Sequence, residues 1–308
     1  MISSESRPAS PILQGILLYI AAVFLFTCLD TLSKYMTRDY HVVQMAWGRY
    51  VFHAAFVLAL APKHGLLTPL RSKRPGFQIL RAGLLMCVTL LFFIALAYLP
   101  LANVTAISFM APLVLTALAF FILKEKVGIR RWMAIVVGFI GMLIIIRPGL
   151  SVMHWAVFAA LAMAVVNACY HLATRMLAGV DNPQTTIVYT GLVGAVGFSL
   201  VAPFFWTPPD LVGWVMLMAL GLLGGVSHYL MILAYARAPA STLAPYAYTA
   251  IVWVTIQGYL VFGDFPDVWT MLGAAIIVSS GLYVFYREAQ HRRAEQKQSG
   301  PHRDLVEG

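Results

Sequence analysis

Charge is what this sequence has least of. Only 11% of its 308 residues are Asp, Glu, Lys or Arg, against roughly 25% in a soluble domain. That deficit excludes a water-facing globular surface. Cysteine is nearly absent as well. Cys28, Cys87 and Cys169 are the three, each inside an apolar stretch and far from the others, so they have no metal or redox spacing and read as small buried thiols. Strand-like alternation is missing, which disfavours a membrane β-barrel. No HExxH or GxSxG occurs, the histidines are scattered, and no pair of carboxylates stands at metal-ligand spacing. An intramembrane enzyme would need such a set, and a channel would need a filter-like repeat that is equally lacking. Nothing calls for a cofactor or a metal.

What is present is hydrophobic length. Apolar residues make up 61% of the chain and the mean hydropathy is +0.82. Ten stretches can be marked, at about 12–30, 42–61, 77–99, 101–123, 131–147, 153–174, 185–205, 211–235, 240–262 and 268–286. Most approach the roughly 20 residues that cross hydrocarbon as a helix. The expected fold is an all-α integral membrane bundle of ten transmembrane helices. Asp30 and Lys34 stand where a signal-peptide cleavage site would fall, so the first stretch is expected to be retained.

The formal charge of +9 is a topology signal rather than a nucleic-acid footprint. Seventeen of the 21 basic residues fall before span one (Arg7), after the even-numbered spans (for example Lys63, Arg71, Arg81, Lys124, Arg131, Arg175, Arg237) or in the tail. The other side has Lys34, Arg38 and Arg147, while Arg49 lies inside span two. The positive-inside rule therefore places both termini in the cytoplasm.

The second half also rewrites the first. Residues 91–147 and 228–284 align without a gap at a shift of 137, pairing Leu96/Leu233, Ala97/Ala234, Tyr98/Tyr235, Thr105/Thr242, Trp132/Trp269 and Ile140/Ile277. Five spans per half reverse the direction of insertion, so the halves form inverted repeats, an arrangement that builds secondary transporters with a site between the repeats. The divisions expected are an N-terminal tail 1–11, repeats 12–149 and 150–286, and a basic cytoplasmic tail 287–308. Glycine stripes (Gly191, Gly194, Gly197; Gly221, Gly225) read as close helix contacts, with a homodimer face as the other use.

The polar residues inside the spans are the candidates for function, because each ionisable group there costs at least roughly 2.5–3.5 kcal/mol. Asp30 and Lys34 share a face of span one; either Asp30 neutralises Lys34 or Arg49 as a structural pair, or Asp30 or Arg49 meets the substrate, or Asp30 takes up a coupling proton. Arg49 and His53 share a face of span two, and Asn167 and His171 a face of span six. Asn103 and Ser108, His228, Tyr246, Tyr248 and Gln257 complete the candidate substrate-binding set. Pro112 and Pro245 interrupt spans four and nine and free backbone carbonyls at membrane depth. An aromatic cavity with neutral donors suits a polar or zwitterionic organic molecule.

The run Ala97-Tyr98 to Pro100-Leu101-Ala102, then Ala106-Ile107-Ser108-Phe109 to Ala111-Pro112-Leu113, resembles the EamA-type branch of the drug/metabolite transporter superfamily. So do Leu123-Lys124-Glu125, Arg130-Arg131-Trp132, Gly138-Phe139-Ile140-Gly141 and Arg147-Pro148-Gly149, together with Asp30, Lys34 and Trp47-Gly48-Arg49-Tyr50 to His53. The second copy departs from the pattern, with Gly263-Asp264 near where the Lys124-Glu125 turn would fall and no Arg-Pro-Gly ending. The resemblance implies two inverted five-helix repeats in a bacterial inner membrane around a central cavity. It leaves the cargo open among amino acids, amino-acid-derived metallophores, riboflavin and S-adenosylmethionine. Paired charges beside aromatics favour an amino-acid-like or amino-acid-derived cargo and export is the expectation, with uptake of a vitamin or nucleoside-type metabolite such as riboflavin or S-adenosylmethionine as the alternative.

Overall fold

A computed structural model describes residues 11–60, 71–124, 128–147, 154–177, 180–181 and 183–299. The expectations for residues 1–10 with Arg7, for Lys63, Glu125, Lys126 and Pro148-Gly149, and for the tail beyond Ser299 lie outside them.

Among the described residues every regular element is helical. They are α1 (Pro11–Met36), α2 (Val42–Leu60), α3 (Pro75–Tyr98), α4 (Leu101–Ser108), α5 (Ala111–Leu123), α6 (Ile129–Ile146), α7 (Ala156–Leu177), α8 (Pro183–Val201), α9 (Leu211–Tyr235), α10 (Ala240–Leu243), α11 (Thr249–Phe262) and α12 (Val268–Ser299). Short 3₁₀ turns cover Ala202–Phe205 and Ala244–Tyr248. Among the described residues, eight helical stretches are long and apolar enough to span a bilayer. Two marked stretches fall short for local reasons. α2 carries Gln44, Arg49 and His53 among its 19 residues, and the ninth stretch is broken around Pro245, leaving α11 only 14 residues. Large apolar side chains face outward, such as Leu200 at 71% and Leu260 at 74% exposure. In water such a surface would aggregate; against lipid it is the expected exterior.

Helix breaks follow proline chemistry. Ala111 and Pro112 open α5, where a missing N–H is one of the turn's orphans anyway. The chain turns just before them, through Phe109 and Met110. Pro245 lies in the 3₁₀ turn between α10 and α11. α4 and α11, which flank the two breaks, pack on each other.

The packing is pairwise. α1 lies chiefly on α9, α3 on α7, α6 on α12, and α2 between α8 and α9. Small residues set these approaches. A Cβ on Gly141 would stand 2.9 Å from the Gly273 carbonyl oxygen, and one on Gly273 2.5 Å from that of Gly141, so the α6 and α12 backbones touch. Gly221 and Gly225 admit Phe52 and Phe56 of α2, and Gly194 admits Tyr50. The glycine stripes of α8 and α9 are thus spent inside the chain rather than on a dimer face.

Candidate functional site

Six helices bring polar groups to the bundle interior. Phe26 and Asp30 follow one another by a turn on α1. The Phe26 ring meets His228 of α9 edge-on at 4.9 Å, and His228 meets His53 of α2 at 5.7 Å, perpendicular. One turn before His53, the Arg49 guanidinium sits 5.9 Å from the Phe93 ring centroid of α3. Asp30 and His53 both lie within electrostatic reach of Arg49. Among the described residues, however, no carboxylate comes within 4.0 Å of the Arg49 nitrogens. The interior therefore holds a carboxyl and a guanidinium that do not pair by contact, with aromatic rings around them.

A second group lies along α3, α7 and α8. Arg81 is 5% exposed. Its Nε donates to Thr174 Oγ1, Nη1 to Thr190 Oγ1 and Nη2 to the Tyr170 hydroxyl, each at 2.7 Å. The sequence reading counted Arg81 among the topology charges of a loop. The structure corrects this: Arg81 stands well inside α3, as its position within the 77–99 apolar stretch could have signalled. His171, adjacent to Tyr170 with rings 5.2 Å apart, keeps exposed surface while lying within electrostatic reach of Arg81. Asn167 is one turn before it on the same face.

Other candidates are occupied elsewhere. Lys34 does not pair with Asp30; its ammonium donates to the carbonyls of Leu99 at 2.8 Å and Leu96 at 3.4 Å, capping the negative end of α3. Gln257 ties α11 to α1, accepting from Thr31 at 2.7 Å and donating to Thr27 and Cys28. Ser108 donates to the Thr105 carbonyl of its own helix. Tyr246 packs with Tyr19 and Val23, and Tyr248 tilts against Phe109 at 5.0 Å. Gln257, Tyr246 and Tyr248 thus hold elements together, and the Ser108 hydroxyl is spent within α4.

A cavity of about 610 Å³ opens at the end of the bundle where α3, α6 and α11 finish and α4, α7 and α12 begin. Of the sequence candidates it takes in Asn103, with Tyr98, Arg147, His154, Asp264 and Asp267. Tyr98 stacks on His154 at 5.1 Å, and Arg147 pairs with Asp267. Burial pushes the Asp267 carboxyl up, but hydrogen bonds from Thr270 and Arg147 outweigh it and hold the group below the usual carboxylate range.

Loop contacts tie both ends of the bundle. At the cavity end, Gln44 exchanges two hydrogen bonds with the Thr207 backbone, at 2.8 and 2.9 Å. At the opposite end, Asp181 accepts from Ser72 Oγ at 2.5 Å, the Lys73 amide at 2.8 Å and Gln78 Nε2 at 2.9 Å. Hydrogen bonds from Ser72, Gln78 and the Lys73 amide keep its carboxyl below the ordinary range.

The model of the EamA-like transporter family matches this sequence twice, over residues 13–147 and 154–286. The chain belongs to the EamA-like transporter family. It is accordingly a multi-pass membrane transporter of the drug/metabolite type, acting on a small molecule. Similar EamA relatives include an S-adenosylmethionine uptake transporter of Rickettsia bellii, 30% identical and covering 84% of this chain and 89% of the relative. A riboflavin transporter of Vibrio cholerae is 29% identical, covering 92% and 97%. A solved crystal structure, 20% identical, shares the fold with a TM-score of 0.62 over 87% of this chain and 94% of that one.

Proposed function

We propose that this chain is an inner-membrane importer of S-adenosylmethionine or a close nucleoside-type amino acid. The observation that carries the reading is the interior pair Asp30 and Arg49, opposite in sign, out of contact with each other and flanked by Phe26, Phe93, His53 and His228. A zwitterionic amino-acid head group satisfies both charges, its carboxylate on Arg49 and its ammonium or sulfonium on Asp30, while the rings take a heteroaromatic base. The relatives move the balance from the amino-acid exporter expected from sequence to uptake: the S-adenosylmethionine relatives are named as uptake transporters. Riboflavin, the cargo of other relatives, has no charged head group for Asp30 and Arg49.

The architecture that serves this is ten crossings in two inverted five-helix repeats, 12–149 and 150–286, with both termini cytoplasmic. The doubled family match supports it. So does the packing, because exchanging the halves converts the α1–α9 contact into α7–α3. The two end ties also exchange, Asp181 standing 137 residues after Gln44, which suits gates on opposite faces. On this orientation the 610 Å³ cavity is an external vestibule.

A ligand-stabilisation screen tests the reading. Ligand at 100 times its Kd raises apparent stability by about 2.7 kcal/mol, so S-adenosylmethionine should raise the Tm of the purified protein and amino acids should not. Stabilisation by riboflavin with silence from S-adenosylmethionine would replace this cargo with the vitamin.

A further inference from the structure

Arg81 is a buried cation that meets no counter-ion among the described residues. Each of its three nitrogens is bound to a neutral hydroxyl, and the Tyr170 ring centroid lies 4.6 Å from its Cζ. Among the described residues no carboxylate is within 4.0 Å. Hydroxyls satisfy the direction of three N–H groups but leave the charge uncompensated, and the guanidinium has five N–H donors in all. An arginine inside a span is retained for a partner or a function. The nearby loop carboxylate, Asp181, is spent on Ser72, Lys73 and Gln78. Gln78 is fully buried one turn before Arg81, with its Oε1 unpartnered. The polar system there is incomplete: a cation wants an anion, and a buried acceptor wants a donor.

Placement adds direction. His228 and Tyr50 each lie within electrostatic reach of both Arg49 and Arg81, so the two arginines stand in one region of the bundle. On the orientation proposed above, Arg49 is about seven residues from the outer start of α2, roughly 10 Å. Arg81 is about six residues from the inner start of α3, roughly 9 Å.

We propose that Arg81 is a second carboxylate-binding station, on the cytoplasmic half of the path, which takes the substrate's carboxylate from Arg49 before release. Thr174, Thr190 and Tyr170 hold the guanidinium in place, leaving one N–H on each terminal nitrogen for the anion. The inference rests on the zwitterionic-substrate reading.

The test uses the full-length protein in proteoliposomes of defined orientation. Exchange of labelled external S-adenosylmethionine is driven by internal S-adenosylmethionine or by its decarboxylated analogue, which keeps the sulfonium, the amine and the base. In Arg81→Gln the internal half-saturating concentration of S-adenosylmethionine should rise roughly ten- to a hundredfold. That of the decarboxylated analogue should stay within about threefold, and the external KM should hold. If Arg81→Gln does not insert, Arg81→Lys, which keeps charge but not the planar fork, should show the same selective rise at smaller size. Equal losses for both substrates, or an unchanged internal half-saturation in a folded variant, would overturn the station and make Arg81 a tie between helices. No exchange of S-adenosylmethionine by the unaltered protein would remove the cargo reading itself, and the station with it.

Discussion

Replacing Arg49 by glutamine separates binding from folding more cleanly than any other change in the interior. Arg49 makes no ion pair with a described residue, so its removal breaks no salt bridge. What the fold loses by contact is the approach of the guanidinium to Phe93 at 5.9 Å, about 0.5–1 kcal/mol, beside a longer-range attraction to Asp30. For a chain of this size that corresponds to a Tm shift on the order of 2 °C. What the substrate loses is a charge-assisted contact to its carboxylate, about 1.5–3 kcal/mol, or roughly ten- to more than a hundredfold in affinity. Initial-rate uptake into proteoliposomes should therefore show an external KM raised by that factor, with kcat changed far less, because the contact serves bound substrate and transition state alike. An unchanged KM in correctly inserted Arg49→Gln would refute the assignment of Arg49 to the substrate carboxylate. A collapse of Tm by ten degrees would return Arg49 to a structural role.

Gln257→Leu should lower the Tm without altering selectivity, because Gln257 is occupied by Thr27, Cys28 and Thr31; membrane hydrogen bonds of this kind contribute about 0.6–2 kcal/mol. A changed substrate panel would contradict that. Gly273→Leu should prevent assembly or cost more than the 1–3 kcal/mol typical of overpacking, since its first side-chain atom meets the Gly141 carbonyl at 2.5 Å; retention of native thermal stability would contradict the α6–α12 contact. The Asp181 tie should be insensitive to pH between 5 and 8. Its carboxyl is held below the usual range, so its contribution is complete above the unfolded value of about 3.9 and fades only as pH falls through the lower folded value. Asp181→Asn should consequently leave the pH profile of flux unchanged in shape; a profile that flattens would show that Asp181 carries the titration.

Most of the fold was legible because span length and charge placement are one-dimensional signals. The ten stretches each contain helix, and the family resemblance stood on contiguous motifs around Pro112 and Trp132. The interior was only half legible, because a span has several faces and sequence does not say which of them looks inward. Arg49, His53 and His228 could be found as polar residues in apolar runs. That Lys34, one turn from Asp30, reaches instead to the end of α3 depends on where Leu99 arrives in space. Arg81 stands near a boundary: six residues past Pro75 it can be taken for a loop charge although it lies in the 77–99 stretch, and the packing of α7 and α8 around it shows a buried cation. Asp181 had no sequence signal, since its partners lie more than 100 residues away. The residues offer a charge pattern and not a molecule, which is why the proposed cargo and direction lean on relatives named as uptake transporters.

The most direct test of the central claim is time-resolved uptake of labelled S-adenosylmethionine by the purified protein in proteoliposomes. Uptake should be saturable, accelerated by internal unlabelled S-adenosylmethionine and insensitive to excess riboflavin. Uptake of riboflavin unaffected by S-adenosylmethionine, with none of S-adenosylmethionine itself, would contradict it.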